Sequence, residues 1–343
     1  MKLNCQTTFR NVSKSKSIYE VLYNGSEYGE VIFGIRPSNL SRYSEWITGT
    51  SIELMENLFP DDVSCLEHIM KIGYGKNFKC FSCGRLIKWY RHRTRRGYTA
   101  KCCGQYTLNP LNGTMFHRTK VSLKDWFYMM LLFANSRNGV SAHLCQRLLG
   151  VSHAAAYKVC DKIRTHMAIM ERPRQIGGPG QYVHIDEAQL RGVIGENPKH
   201  RAIVLGMATK TYLISFPIPD RRAATIIPII QKYVRSGSII VTDSHRSYRK
   251  IENLGWDHEV VNHASFFWIS ENGVSQSQIE TYWGHLKRAL RGTHIHIAHK
   301  NLWKYLQEFN FRYNRRHRSH EIFWDLISSF PPATRSIEQV EAE

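Results

Sequence analysis

Short apolar runs rich in β-branched residues alternate with amphipathic stretches in the second half of the chain. The runs predict strands at residues 182–187, 201–208, 212–216, 238–242 and 259–261. Helical spacing predicts helices at 223–234, around Glu280 and at 302–314. A further short helix is predicted between the strands at 238–242 and 259–261. Strands interleaved with helices in this way predict a mixed α/β domain.

The region before this domain has the pattern of an all-α helix-turn-helix unit. The serine caps and apolar spacing of residues 122–170 predict three helices. The last two begin at Ser141 and Ser152 and are separated by Gly150. A plain helical bundle without DNA contact is the alternative interpretation. In a helix-turn-helix motif, the last helix offers side chains to a DNA groove or to phosphates. The candidates on that helix are Tyr157, Lys158 and Lys162, with His153 and Arg164.

Two cysteine pairs flank a basic stretch that should form a β-hairpin. The first is Cys80-Phe-Ser-Cys83-Gly84, a knuckle in which glycine permits the tight turn that brings two thiolates together. The second is the adjacent pair Cys102-Cys103. Together they predict a small zinc ribbon with one structural Zn²⁺. Adjacent side chains should diverge, so the fourth ligand is left open between one of this second pair and His92.

Positive charge is concentrated in two parts of the chain. Residues 79–120 hold ten Lys or Arg and no acid, and residues 287–318 hold nine against Glu308 alone. A solvated face would explain one such run, but two in a chain of net charge +19 favour a polyanionic partner. DNA contacts are expected from Arg93, Arg95 and Arg96 in the hairpin and from Lys287, Arg288 and Arg291 in the Glu280 helix.

A membrane location is not expected, because no apolar stretch approaches the roughly 20 residues of a spanning helix. The first residues also lack the apolar core of a signal peptide. We therefore expect an intracellular protein at DNA, in the nucleus of a eukaryote or the cytoplasm of a bacterium.

Three carboxylates lie where a catalytic metal site is expected. Asp186 and Asp243 end predicted strands, and the carboxyl ends of strands form the functional edge of α/β sheets. Glu280 lies on a helix beside an apolar stripe. Carboxylate oxygens suit Mg²⁺ or Mn²⁺, and a pair of such ions can promote phosphoryl transfer. The alternative is that each Asp merely caps the next helix.

Several longer motifs resemble those of the Merlin group of transposases and the bacterial insertion sequences related to them, from about residue 59 to 317. They are Cys80-Phe-Ser-Cys-Gly, Asn112-Gly-Thr-Met-Phe-His, His184-Ile-Asp-Glu, Val241-Thr-Asp-Ser and Gln278-Ile-Glu-Thr-Tyr-Trp-Gly-His-Leu-Lys. The resemblance implies that Asp186, Asp243 and Glu280 are the metal-binding triad of a DDE recombinase with two Mg²⁺ or Mn²⁺. One departure is Ser275-Gln276-Ser277, where many relatives carry His-Thr-Asn.

The resemblance implies a DNA transposase with a ribonuclease-H-like catalytic domain. Its partners would be double-stranded DNA, as terminal inverted repeats and target, and further copies of itself assembled on that DNA. A retired transposase kept as a non-catalytic DNA-binding protein and a hydrolytic nuclease of the same fold are the alternatives. The expected units are an N-terminal region (1–56), the ribbon (57–120), the helix-turn-helix region (121–174), the catalytic domain (175–320) and a tail (321–343).

Overall fold

The computed structural model describes residues 51–74, 79–80, 83–103, 105–194, 202–261 and 277–330. The chain divides into two units, Met1–Pro60 and Asp61–Glu343. In the first unit, helix α1 (Ile52–Leu58) begins after Ser51, whose hydroxyl accepts a hydrogen bond from the Leu54 N–H. Residues 1–50, most of the predicted N-terminal region, lie outside the described residues. All other elements belong to the second unit.

The second unit begins with a helix and a small antiparallel sheet. Helix α2 (Asp62–Tyr74) precedes strands β1 (Tyr90–Arg91), β2 (Tyr98–Lys101) and β3 (Gln105–Leu108), which pair in the order β1-β2-β3. Cys80, Ile87 and Ala100 form its small apolar core. The hairpin predicted between the two cysteine pairs is therefore present.

Three helices follow, each beginning at a serine. They are α3 (Leu123–Asn135), α4 (Ala142–Leu149) and α5 (His153–Met170). The hydroxyls of Ser122, Ser141 and Ser152 each accept a backbone N–H three residues on, which satisfies a donor left open at the helix start. Gly150 ends α4 at φ 66°, a left-handed conformation that glycine adopts without strain. The helices lie where the serines predicted them.

The domain that follows is built on a five-stranded mixed sheet. Its strands and first helix are β4 (Tyr182–Leu190), β5 (Val193–Ile194), β6 (Ala202–Ala208), β7 (Leu213–Ile218), α6 (Ala223–Tyr233), β8 (Ile239–Thr242) and β9 (Asp257–Val260). The sheet order is β7-β6-β4-β8-β9; β4, β6 and β7 pair antiparallel, whereas β8 and β9 run parallel to β4. The two short helices after β8 are 3-10 turns at Arg246–Tyr248 and Glu252–Leu254.

Both faces of this sheet are covered. Helix α6 packs on one face, whereas helices α7 (Ser277–Gly292) and α8 (Leu302–Asn314) pack on the other. Gly206 on β6 allows the close approach of α7, because a Cβ there would lie 2.6 Å from the Trp283 ring. The short strand β10 (Ile297–Ala298) pairs with β5. Both helices were predicted from their apolar stripes.

The C-terminal segment departs from its prediction as a tail. Residues Ile322–Ser328 form helix α9, which buries Ile322, Phe323, Leu326 and Ile327. His68 of α2 and His166 of α5 bond to backbone carbonyls of this helix, at Ile327 (2.8 Å) and Leu326 (2.9 Å) respectively. The helix is therefore part of the core of the second unit. Of the predicted tail (321–343), residues 331–343 lie outside the described residues. No helix in the described ranges is both long and apolar enough to span a bilayer.

Candidate functional site

The register of two parallel strands places Asp186 beside Asp243. The last β4–β8 pair is His184 with Val241, and each Asp lies two residues beyond its member of that pair. Equal steps along parallel strands keep residues side by side and on the same face. The two residues therefore lie beside each other where β8 ends, and the Asp243 charge acts on the Asp186 carboxyl.

The prediction that Asp186 ends its strand is wrong. Strand β4 continues to Leu190, because residues 184–190 pair with β6 along its other edge. Asp186 therefore lies in mid-strand, past the end of β8 but opposite Gly206 of β6. Asp243 does follow its strand directly, as predicted, and its Oδ1 accepts a hydrogen bond from the His245 N–H at 3.0 Å.

Burial, together with the nearby charges of Glu187 and Asp243, raises the pKa of the Asp186 carboxyl to about 6. The indole N–H of Trp283 donates to Asp186 Oδ2 at 2.9 Å and partly opposes this rise. Trp283 itself is 4% exposed and lies over Gly206. One oxygen of Asp186 is thus oriented by α7, in surroundings that disfavour its negative charge.

Glu280 lies in the first turn of the same helix, three residues before Trp283. Residues three apart are neighbours on the surface of a helix, so Glu280 lies beside Trp283, which contacts Asp186. The three carboxylates are less tightly grouped than the cysteines: in the described ranges, only the cysteine group brings three or more possible ligand atoms within 4.8 Å of one another.

On the opposite face of β4, the Glu187 side chain is buried and paired within the protein. Its side chain is 1% exposed and accepts a hydrogen bond from Arg221 at 3.0 Å. Strand alternation predicts this change of face, but it does not predict the Arg221 partner. Neither Arg221 nor the Trp283 hydrogen bond was found from the sequence, because both join residues that are far apart along the chain.

The thiols of Cys80, Cys83, Cys102 and Cys103 form the tight group, all within 4.8 Å of one another. The Cys83 and Cys102 sulfurs are 3.3 Å apart. The expected divergence of the adjacent pair is therefore wrong, because the turn between β2 and β3 directs both thiols toward the knuckle. His92 does not belong to this group. The backbone N–H of His92 donates to the Gly97 carbonyl and closes the hairpin.

The cysteine knuckle is closed by its own backbone. The Cys80 N–H donates to the Arg85 carbonyl at 2.8 Å, and the Gly84 N–H donates to the Cys80 carbonyl at 2.9 Å. Gly84 has φ 68°, which suits the glycine predicted for this turn. The Arg85 side chain donates to the Cys83 sulfur and lowers the pKa of that thiol, which favours the thiolate form.

The predicted DNA contacts of α7 lie on its surface. Lys287, Arg288 and Arg291 are exposed. Lys287 and Arg291 line a cavity of about 260 Å³ together with Gln189 and Arg191. The Arg288 guanidinium bonds to the His285 ring at 3.1 Å.

In the helical region and the hairpin, Tyr157, Lys158, Arg93 and Arg95 are exposed. Three further candidates are instead engaged within the protein. Arg164 is buried and bonds to Glu308 and to the Val140 carbonyl. Arg96 bonds to Asp62, and Lys162 donates to the His117 carbonyl. The DNA-contact hypothesis is therefore wrong for Arg164 and weakened for Arg96 and Lys162, because these side chains bond to other groups of the protein.

Comparison with known proteins gives the family. Residues 175–314 match the model of the ISXO2-like transposase domain. The chain is 32% identical over 108 residues to an uncharacterized transposase-like protein of Haemophilus influenzae, over 32% of this chain and 84% of that protein.

Two solved structures of Mos1 are also similar. A pre-cleavage Mos1 transpososome has TM-score 0.25 and 12% identity, over 59% of this chain and 78% of that chain. The Mos1 strand transfer complex has TM-score 0.24 and 13% identity, over 59% and 75%. Such low TM-scores do not establish a shared fold. The family model and the Haemophilus relative confirm the resemblance seen in the sequence, and the chain belongs to the insertion-sequence DDE transposases with an ISXO2-like domain.

Proposed function

We propose that this transposase cuts DNA at the ends of its element and joins the freed 3′-hydroxyl to target DNA, with Asp186, Asp243 and Glu280 as its catalytic carboxylates. The observation that carries the proposal is the register of β4 and β8, which brings the two aspartates together at the end of β8. The helix that holds Glu280 also holds Trp283, which binds Asp186 directly.

The surroundings of Asp186 fit two Mg²⁺ or Mn²⁺ ions. Burial and two neighbouring acids raise its pKa to about 6, so a cation would relieve charge that the site itself disfavours. Hard divalent ions prefer carboxylate oxygens. When bound, the ions would supply activation of the nucleophile and neutralise charge on the phosphate.

The four cysteines fit one structural Zn²⁺. A tetrahedral ion with Zn–S distances of about 2.3 Å holds its sulfurs about 3.8 Å apart, close to the spacing of this group. We propose that Cys80, Cys83, Cys102 and Cys103 are the four ligands and that the small sheet is a zinc ribbon. Purified protein should carry one zinc per chain, and Cys80→Ser should lose it with the ribbon fold, because zinc binding there is coupled to folding. Metal analysis that finds no zinc would remove this assignment.

The remaining architecture supports double-stranded DNA as the partner. The sheet order, with three antiparallel strands followed by two parallel ones, supports the ribonuclease-H-like assignment. Helices α4 and α5, joined at Gly150 and capped by Ser152, support a helix-turn-helix unit whose Tyr157 and Lys158 contact DNA. The exposed cations of α7 would hold phosphates near the carboxylates, and we expect copies of the chain to assemble on the element's ends.

Amide variants of the carboxylates test the proposal. Asp243→Asn and Glu280→Gln preserve size but remove the charge that holds a divalent ion. Each should lower cleavage and joining of end DNA by about a thousandfold or more, as loss of charge stabilisation in phosphoryl transfer does. Binding of the same DNA should stay close to wild type, measured by mobility shift.

The matched control is Glu252→Gln, because the Glu252 side chain is 69% exposed and lies in the 3-10 turn after Asp243. Glu187 is unsuitable as a control, since it is buried and paired with Arg221. Wild-type protein that binds its ends but never cuts them with Mg²⁺ or Mn²⁺ would favour the retired DNA-binding protein. Wild-type protein that cuts but never joins would favour the nuclease.

A further inference from the structure

A groove of about 590 Å³ lies between helix α2 and the β1–β2 hairpin, away from the carboxylate site. Its volume is within the roughly 300–1,000 Å³ range of small-molecule sites in proteins. Aromatic and basic side chains dominate its walls: Trp89, Tyr90, Tyr98, Lys71, Lys88 and Arg91. None of these residues belongs to the proposed triad or to the cysteine group.

Tyr90 offers an aromatic surface in this groove. It is 57% exposed although it lies in a strand, and the Lys88 ammonium lies 5.5 Å from its ring centroid. Trp89, the adjacent wall residue, packs against the ribbon core beside Cys80 and Cys102, so this wall is anchored to the cysteine group. An exposed aromatic ring on a rigid strand is a platform on which a nucleobase can stack.

Tyr98 contributes a buried polar group to the same groove. The residue is 6% exposed, and its hydroxyl has no hydrogen-bond partner among the described residues. Burial raises the pKa of this phenol to about 12, so the hydroxyl keeps its proton at neutral pH. A buried hydroxyl without a partner costs stability, and a polar group of a ligand would satisfy it.

The charge of the groove favours an anion. Lys71, Lys88 and Arg91 face one acid among the lining residues, Glu67, whose carboxylate is 3.9 Å from Arg91. Exposed Arg93 and Arg95 continue the positive surface into the turn of the same hairpin. Stacking surface together with positive charge matches nucleotides whose base faces are free, whereas a duplex keeps those faces stacked on each other.

We propose that this groove binds unpaired nucleotides of single-stranded DNA, with a base against Tyr90 and the phosphates near Lys71 and Lys88. The inference rests on the proposed function, in which the protein cuts and joins individual DNA strands. It adds a site for the single strand, distinct from the carboxylates and from the helix-turn-helix unit.

The test uses full-length, zinc-loaded protein and a labelled oligothymidylate of about twelve nucleotides, without added Mg²⁺. Fluorescence anisotropy gives its Kd, with a duplex of the same length for comparison. Tyr90→Ala should weaken binding of the single strand about tenfold, in keeping with the loss of one base–aromatic stack. Tyr90→Phe keeps the ring and should bind within about twofold of wild type. The matched control is Leu86→Ala, since Leu86 is 63% exposed and lies in the same ribbon but does not line the groove.

Three outcomes would overturn the inference. These are no measurable binding of the single strand, equal binding by Tyr90→Ala and wild type, or an equal loss of single-strand and duplex binding in Tyr90→Ala. The last would indicate contact with duplex backbone instead. Because no cleavage is involved, Asp243→Asn should bind the oligonucleotide like wild type. A protein that fails to cut DNA but passes this test would refute the proposed reaction and retain the groove.

Discussion

Two buried carboxylates in the same domain have opposite electrostatic environments. Glu308 on α8 is fully buried, and its oxygens accept hydrogen bonds from Arg164 at 2.8 Å and Arg312 at 2.5 Å. Burial alone would raise its pKa, but the two guanidinium groups lower it to about 2. Asp186 on β4 is also mostly buried, yet its neighbours are acids and its pKa is raised to about 6.

This difference separates a charge that is balanced within the fold from one that we propose serves the reaction. The Arg164–Glu308 pair joins α5 of the helical region to α8 of the sheet domain, whereas Arg312 lies on α8 itself, so the protein supplies both cations. Gly139 allows the close packing there, because a Cβ at its φ of 85° would lie 2.3 Å from His294 Nε2. Asp186 has a hydrogen bond from Trp283 but acidic neighbours, so its charge is best balanced from outside the chain. Burial alone does not mark a functional acid; the sign of its neighbours does.

The largest expected effect is the loss of stability when the charge of Glu308 is removed. Glu308→Gln leaves Arg164 and Arg312 buried without their counter-charge, which should lower the free energy of unfolding by about 3–5 kcal/mol. Urea unfolding at neutral pH measures it. The control is Glu321→Gln, because its exposed pair with Arg318 (46% exposed for Arg318 and 40% for Glu321) should contribute less than about 1 kcal/mol. Equal losses in the two variants would mean that the buried network is no more important than a surface pair.

Removal of the Asp186 charge should change the stability of the fold in the opposite direction. Asp186→Asn removes a charge whose folded-state pKa of about 6 lies above its usual 3.8, so the charged form destabilises the fold at pH 7.5. We expect the variant to be more stable than wild type by about 1–2 kcal/mol without divalent ions, while end cleavage is lost. Thermal unfolding in Mg²⁺-free buffer measures the gain. A marked loss of stability would show that this carboxylate, like Glu308, holds the fold together.

The stability difference between wild type and Glu308→Gln should depend on pH. The pKa of Glu308 is about 2 in the folded protein against 4.5 ordinarily, so the unfolded chain binds the proton first and wild type loses stability as pH falls from 4.5 toward 2. The difference should therefore shrink by about 1 kcal/mol between pH 5 and pH 3.5. Arginine side chains remain charged throughout this range.

His294 also contacts this network, and burial lowers its pKa from 6.5 to about 4. The charge of Glu308 raises this pKa, so His294 costs the Glu308→Gln variant more stability than wild type as pH falls, which offsets part of the expected shrinkage. Urea unfolding of the pair at several pH values checks the expectation, and a difference that grows with acidity would contradict the assigned sign.

The smallest effect concerns the orientation of Asp186. Trp283→Phe keeps most of the packing over Gly206 but removes the N–H that donates to Asp186 Oδ2, so Mg²⁺ should bind about threefold more weakly. The shift of thermal midpoint with Mg²⁺ concentration measures this without any DNA. Trp256→Phe is the control, because the Trp256 N–H donates to the Arg235 carbonyl elsewhere. Equal Mg²⁺ affinity in both variants would reduce Trp283 to a packing residue.

Local patterns in the sequence were sufficient for most elements. Helices α3, α4 and α5 begin where serine caps predicted them, and the apolar stripe of α7 is the face it buries. Caps and periodicity act within a few residues, so a single sequence carries them in full. The same locality explains why Asp243, which directly follows its strand, was placed correctly.

The contacts that give each charge its role were decided by the tertiary structure. Pairing with β6 extended β4 beyond Asp186, and a turn brought the adjacent thiols of Cys102 and Cys103 into one group. Arg164, expected at DNA, lies instead against Glu308, 144 residues away in sequence. The sequence alone determined most segments that form helices and strands, although not helix α9 or the full length of β4. Whether a buried charge meets a cation, an acid or solvent depends on long-range packing, which no local pattern encodes.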